Sequence, residues 1–223
     1  MSGMVSWLGD ILSVQPRIRL TRSFDQRSHT YQGFVMRLRG TVDGERRDFS
    51  VGIGPAAHTK HGFEVGQKVS GSAEPVTHPG TEVCQFYKAS GLQVVTGSAA
   101  LAAPPPWSGR APALDVYRTR GHRRLDPHVY EAHCLPCIWG CQMPVELILD
   151  QWNPQQRRFR CETFCYGPKS CVFYRAGPTR TVPGRRGMTR DELRPFASAG
   201  DVALALLSRT TNVIPPEAPG ATS

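Results

Sequence analysis

Six of the seven cysteines fall between Cys134 and Cys171, and no other feature of the chain limits its folding so tightly. A cluster of this kind implies either disulfides or a metal, and the redox compartment decides between them. The N-terminus has no basic region followed by a long apolar core, so export is not expected. No run approaches the roughly 20 apolar residues that span a bilayer, and no membrane segment is expected either. The expected location is the cytoplasm, where clustered cysteines ligate metals more often than they cross-link.

Spacing selects among the six. Cys134-x-x-Cys137 opens the cluster and Cys165-x5-Cys171 closes it. Between them Val145, Leu147 and Leu149 alternate on one strand, Asn153-Pro154 starts a turn, and Phe159, Cys161 and Thr163 alternate on a second strand. With Asp150 near Arg158, Cys165 comes opposite about Met143 and returns to the C-x-x-C loop. Cys161 lies four residues earlier, about 13 Å along an extended strand. Ligand sulfurs on one tetrahedral zinc sit only about 4 Å apart. Cys161 therefore reads as a small core residue. Gly167-Pro168 turns the chain so that Cys171 can reach the ion. The expected ligands are Cys134, Cys137, Cys165 and Cys171, and the expected metal is zinc. Two cysteine pairs joined by a hairpin resemble a zinc ribbon, although the second pair is wider than the usual two- to four-residue gap. Cys141 also fits a ligand spacing with Cys137, and His133 adjoins the cluster. An iron–sulfur cluster on four thiolates is the alternative cofactor.

An all-sulfur set leaves no open position for substrate or water, so the expected metal is structural and catalysis is disfavoured. A hairpin alone is marginally stable in water, and a structural zinc contributes about 10–16 kcal/mol of apparent binding free energy in finger peptides. The chain has no G-x-S-x-G and no phosphate-loop signature. His58-x-x-His61 reads as surface histidine on a loop.

The Ala/Pro-rich run 96–113 reads as a linker. Before it, residues 17–95 alternate with period two. Phe34, Met36, Leu38 and Val42 share one face of a strand, with Val35, Arg37, Arg39 and Thr41 on the other. Asp43-Gly44 is a tight-turn signal, followed by a strand with Phe49, Val51 and Ile53 inward. Ile18 and Leu20 alternate within a strand over 17–24, and two further strands span 67–76 and 83–95. A connection over 55–66 has room for a short helix. Three strands, that connection and two more strands resemble the OB-fold, a five-stranded, partly open barrel. The phrase from Phe63 to Gly71 is similar to that fold's usual entry into its fourth strand. The resemblance implies binding of oligonucleotides or oligosaccharides on the face of strands 2 and 3. Here that face carries Tyr31, Arg37 and Arg39, with Arg17 and Arg19 beside it. Residues 1–16 are expected to form a separate N-terminal segment, with Trp7, Leu8, Ile11 and Leu12 at helical spacing.

Charge points the same way. The formal net charge is +9, which favours acidic or polyanionic partners. Basic residues cluster around the cysteines: Arg118, Arg120, Arg123 and Arg124 before them, and Arg175, Arg180, Arg185 and Arg186 after. The later four lie in a Gly- and Pro-rich stretch suited to an extended loop against phosphates. The runs FCYGPKSC and GPTRTVPGRRG are similar to segments of uncharacterised bacterial proteins, which implies no activity.

The expected architecture is mainly β: a five-stranded OB-like barrel over 17–95 and a four-cysteine, metal-bound hairpin module over 114–190. A C-terminal helix over 191–209, able to meet a protein partner, and a tail over 210–223 complete the chain. The expected function is zinc-stabilised binding of single-stranded nucleic acid. An iron–sulfur redox accessory protein and a zinc-stabilised protein adaptor are the alternatives.

Overall fold

Strand β1 (Val5–Leu20) touches almost every other part of the fold, and its sequence shows why it can. Along the first half Trp7, Gly9 and Ile11 are buried while Ser6, Leu8 and Asp10 face outward. Pairing with the next strand slips between Ile11 and Ser13, leaving Leu12 as a bulge. The bulge changes the phase, so Val14 and Ile18 point into the core beyond it. From Ser13 to Pro16 the strand is buried on both faces. The computed structural model describes residues 3–20, 29–96, 105–148 and 157–178.

β1 corrects the expected boundary at residue 16. Of the four residues at helical spacing, Trp7 and Ile11 face the core, Leu8 faces outward and Leu12 is the inserted residue of the bulge. The segment read as a separate helical N-terminus instead supplies most of the longest strand among the described residues.

β1 pairs along most of its length with β2 (His29–Val42), and β2 pairs with β3 (Glu45–Ile53) through the Asp43-Gly44 turn. Asp43 and Gly44 both have positive φ, as a two-residue hairpin turn requires. Helix α1 (Pro55–His61) follows, closed by left-handed Gly62. β4 (Lys68–Pro75) returns antiparallel to β1, and β5 (Phe86–Thr96) pairs with β4 and, at Val51↔Phe86, with β3. The five strands therefore form a ring, β1-β2-β3-β5-β4-β1. Phe34, Met36, Leu38, Val42, Phe49, Val51 and Ile53 all face its core, as their alternation predicts. At the close crossing of β1 and β2, Gly9 faces Gly40. A Cβ on Gly40 would sit 2.0 Å from the Leu8 carbonyl oxygen.

The second unit continues this sheet rather than forming a separate one. Helix α2 (Leu114–Arg120), the short strand β6 (Arg123–Arg124) and α3 (Pro127–Val129) lead into a π-helical turn, Tyr130–Cys134. The Asp126 carboxylate accepts from the His128 and Val129 amides and caps that helical start. β7 (Gly140–Ile148) and β8 (Arg157–Cys165) form the expected hairpin, and β7 meets β1 at Leu20↔Val145. Their register puts Cys165 opposite Gly140, three residues from the predicted partner Met143. The shift brings the end of β8 directly against the C-x-x-C loop.

One core runs through both units. Tyr117, Ile138, Cys141, Met143, Phe164 and Tyr166 pack in the same cluster as the ring residues. A second cluster holds Leu125, Tyr130, Cys134, Leu135, Cys137 and Cys165. No helix among the described residues is long and apolar enough to cross a membrane. The C-terminal helix expected over 191–209, the tail after it and residues 97–104 of the linker lie outside the described residues.

Candidate metal centre

Cys134 ends the π-helical turn, and the chain then folds back on itself. The Cys137 amide donates to the Cys134 carbonyl at 3.1 Å, and the Gly140 amide donates to the Cys137 carbonyl at 3.1 Å. Gly140 is required by crowding: a Cβ there would lie 2.7 Å from the Cys134 oxygen and 2.8 Å from Gln15 Nε2. The Ile138 amide, bonded to the Trp107 carbonyl at 2.7 Å, ties the loop to the segment before α2.

Cys165 approaches from the end of β8. Its sulfur accepts from the Gly167 amide at 3.3 Å and faces Arg123 Nη2 at 3.8 Å. Arg123 also donates to the Gly167 and Pro168 carbonyls at 3.0 and 2.9 Å, with its guanidinium 4.0 Å from the Tyr174 ring centre. The turn at Gly167-Pro168 closes with the Cys171 amide donating to the Pro168 carbonyl at 3.2 Å. This turn is the one the sequence suggested.

The electrostatics show which sulfurs share a neighbourhood. Burial pushes the Cys134 thiol up to about 12, and the negative potentials of Cys137, Cys165 and Cys171 add to that. Burial likewise raises Cys137, opposed by backbone hydrogen bonds from Trp139, Trp107 and Gly140. Cys165 is raised by burial and pulled back by the Gly167 amide and Arg123. The predicted four thiols thus interact, and amide donors already point at two of the sulfurs. Donors of that kind stabilise a thiolate over a thiol. In their present positions, however, no three His, Cys, Asp or Glu side chains among the described residues are close enough to hold a metal ion.

The remaining candidates lie elsewhere. Cys141 is buried against the ring, its thiol donating to the Pro16 carbonyl at 3.3 Å. Cys161 sits opposite Pro144 on the hairpin. The exposed His133 ring stacks on Phe173 with centres 4.4 Å apart. His58 is not a surface histidine. It is buried on α1 against Phe34, and its Nε2 lies 2.8 Å from the Ala111 carbonyl.

The face expected to meet nucleic acid is largely occupied. Arg37 is only 9% exposed, because the second unit covers the outer side of β2. Its Nη1 donates to Gln15 Oε1 at 2.8 Å and its Nη2 to Gln142 Oε1 at 2.7 Å. Arg39 forms a two-point ion pair with Asp48 at 3.0 and 3.1 Å. Tyr31 is half-buried, with the Arg118 guanidinium 4.9 Å from its ring centre. Arg17 and Arg19 converge on Glu82 at 2.7 and 2.6 Å. The earlier basic string is also engaged: Arg120 donates to the Tyr166 carbonyl, and Arg124 pairs with Glu162. Arg175 is exposed, and its Nη1 donates to the Val172 and Tyr174 carbonyls at 3.2 and 2.9 Å. Arg180, Arg185 and Arg186 lie outside the described residues.

Sequence reasoning missed Gln15, Tyr130 and Trp107. Gln15 is 1% exposed and bonds to the C-x-x-C loop across 119 positions of sequence or more. One polar residue in a strand carries no signal of such a contact. No protein-family model, no curated protein and no solved structure matches the chain.

Proposed function

We propose that this chain is a zinc-stapled, OB-like β-barrel protein that contacts nucleic acid through the arginine-bearing loop after Cys171. The observation that carries the metal reading is the packing of Cys134, Cys137 and Cys165, from two separated stretches of chain, in one buried cluster, with Cys171 on the turn that follows. Binding would draw the four sulfurs inward to the roughly 4 Å spacing of a tetrahedral site. Deprotonation by the metal removes the cost that burial places on each thiolate. The closed, all-sulfur set makes the ion a staple between the C-x-x-C loop and the end of β8, with no catalytic position.

The nucleic-acid reading moves away from the β2–β3 face, where the arginines already have partners. It rests on the net charge of +9 and on exposed Arg175, which opens the stretch leading to Arg180, Arg185 and Arg186. The loop is anchored beside the thiols by the Tyr174 hydroxyl, which donates to the Arg124 carbonyl at 2.9 Å. An anchored arginine loop suits phosphate contacts that fix position without reading sequence.

Elemental analysis of protein purified under reducing conditions, alongside its visible spectrum, tests the metal. One zinc per chain and no colour supports the reading, whereas brown protein with iron favours the iron–sulfur alternative. Fluorescence titration of a labelled single strand at two salt concentrations tests the partner. Binding that weakens steeply with salt is expected, and salt-insensitive or absent binding rejects it. The adaptor reading is favoured by Val172, an apolar side chain 66% exposed on the same loop. Recovery of a defined protein partner after nuclease treatment would replace the nucleic-acid reading.

A further inference from the structure

Gln15 reaches from the ring to the C-x-x-C loop and bonds to it three times. Nε2 lies 2.8 Å from the Cys134 carbonyl, 3.1 Å from Leu135 and 2.9 Å from Cys137. A carboxamide has two N–H groups, so three acceptors around one nitrogen require at least one shared hydrogen. The amide cannot turn over, because its oxygen is also fixed. Oε1 accepts from the Tyr130 hydroxyl at 2.6 Å and from Arg37 Nη1 at 2.8 Å. Arg37 is fixed in turn by Gln142 on β7. Both donors on Oε1 draw electron density toward the oxygen and strengthen the N–H groups as donors.

We infer that Gln15 is the positioning residue of the thiol site: its carboxamide gathers the main-chain carbonyls of the 134–137 loop and thereby sets the spacing of the Cys134 and Cys137 sulfurs. This deepens the metal reading above and rests on it only where zinc is the readout. The carbonyls belong to the two cysteines themselves and to one residue between them. Fixing these three oxygens orients the peptide planes around both Cα atoms, and with them the directions in which the Cβ–Sγ bonds leave the backbone. The bulge at Leu12 is what makes the contact possible. Without it the strand would keep the phase of Trp7 and Ile11, and position 15 would point into the ring.

Three substitutions separate positioning from simple structural support. Gln15→Met keeps the length of the side chain and removes every donor and acceptor. Gln15→Glu keeps the shape but sets carboxylate oxygens against three carbonyl oxygens. Tyr130→Phe leaves the amide in place and removes only one bond that orients it. Full-length protein is loaded with zinc, challenged with a chromogenic chelator and, in parallel, loaded with cobalt for absorption spectra. In metal-free protein the alkylation rates of Cys134, Cys137 and Cys84 are read by mass spectrometry.

Gln15→Met and Gln15→Glu should lower zinc affinity by about 10- to 100-fold, the usual effect of removing a partner that orients metal ligands. They should change the cobalt bands and speed alkylation of Cys134 and Cys137 relative to Cys84. Tyr130→Phe should fall between these variants and the wild type while staying folded. Wild-type affinity, spectrum and alkylation rates in all three variants would overturn the inference. If the wild type takes no metal but the variants still expose Cys134 and Cys137 selectively, the metal reading fails and the positioning role stands. If zinc binds equally well in all proteins, the reverse holds.

Discussion

Replacing Trp7 with alanine tests whether the N-terminal residues belong to the core. The side chain is 3% exposed, and its ring meets Phe49 edge-on with centres 6.1 Å apart. Aromatic side chains bury about 150–250 Å² each. At about 25 cal/mol per Å² this is worth about 4–6 kcal/mol, an upper figure because the unfolded chain already buries part of that surface. Measured Trp→Ala losses in cores run about 3–5 kcal/mol. One term works against the native residue: the indole Nε1 is buried with no hydrogen-bond partner. An unmatched donor costs about 1–3 kcal/mol. Trp7→Phe deletes that donor and keeps most of the apolar contact, so its cost should be under about half that of Trp7→Ala. Urea unfolding followed by far-ultraviolet circular dichroism at fixed pH, with constant metal content, measures both. Trp7→Ala should lower stability by about 3–5 kcal/mol without changing the slope against urea. A loss below about 0.5 kcal/mol, typical of a surface substitution, would refute the placement of Trp7 inside the ring.

Burial holds the His58 imidazole below its ordinary range; the Ala111 carbonyl opposes this and Arg110 reinforces it. Its contribution is therefore complete above about pH 6.5, where the unfolded imidazole is also neutral, and is lost on acidification toward the lower folded value. The loss should reach at most about 1.4 kcal/mol per pH unit, and His58→Phe should remove that dependence in unfolding experiments from about pH 7.5 to about pH 5. An unchanged slope in the variant would assign the dependence elsewhere. Glu82→Gln should cost about 2 kcal/mol, a figure between an exposed pair and a buried one. Arg17 and Arg19 are 14% and 28% exposed and lose one shared partner. A midpoint in urea equal to wild type would count against it. Arg175→Ala should weaken single-strand binding evenly across sequences and lower the salt slope by about one. An unchanged slope would take Arg175 out of the interface.

The strands of the ring were legible wherever one face is apolar and the other is not. Phe34, Met36 and Leu38 against Arg37 and Arg39 gave β2, and Asp43-Gly44 gave its turn to β3. The same alternation revealed only the end of β1, from residue 17, because the inserted residue at Leu12 breaks the period of two along the rest of the strand. Nor could it tell a solvated face from a covered one. Arginine at 37 is compatible with either until something packs on it, and here Gln15 and Gln142 satisfy it. The hairpin between the cysteine pairs was readable from alternation, but its register was not. The sequence between β7 and β8 offers no turn of defined length, and the register differs from the expected one by an odd number, three, which turns the other face of β8 inward: buried Arg160, not Phe159 or Cys161, stands opposite Val145.

What the sequence settled alone is local: which residues alternate, where turns interrupt them, and that six thiols fall in one short stretch. Tertiary structure decided which distant pieces meet. It set Cys165 against Gly140, joined β1 to β7, and sent Gln15 to three carbonyls more than a hundred residues away. The reason is physical. Side-chain periodicity and turn preference arise from each residue's own backbone and near neighbours. The choice of contact between distant segments depends on the packing and hydrogen bonding of the whole core at once, which no short window of sequence contains.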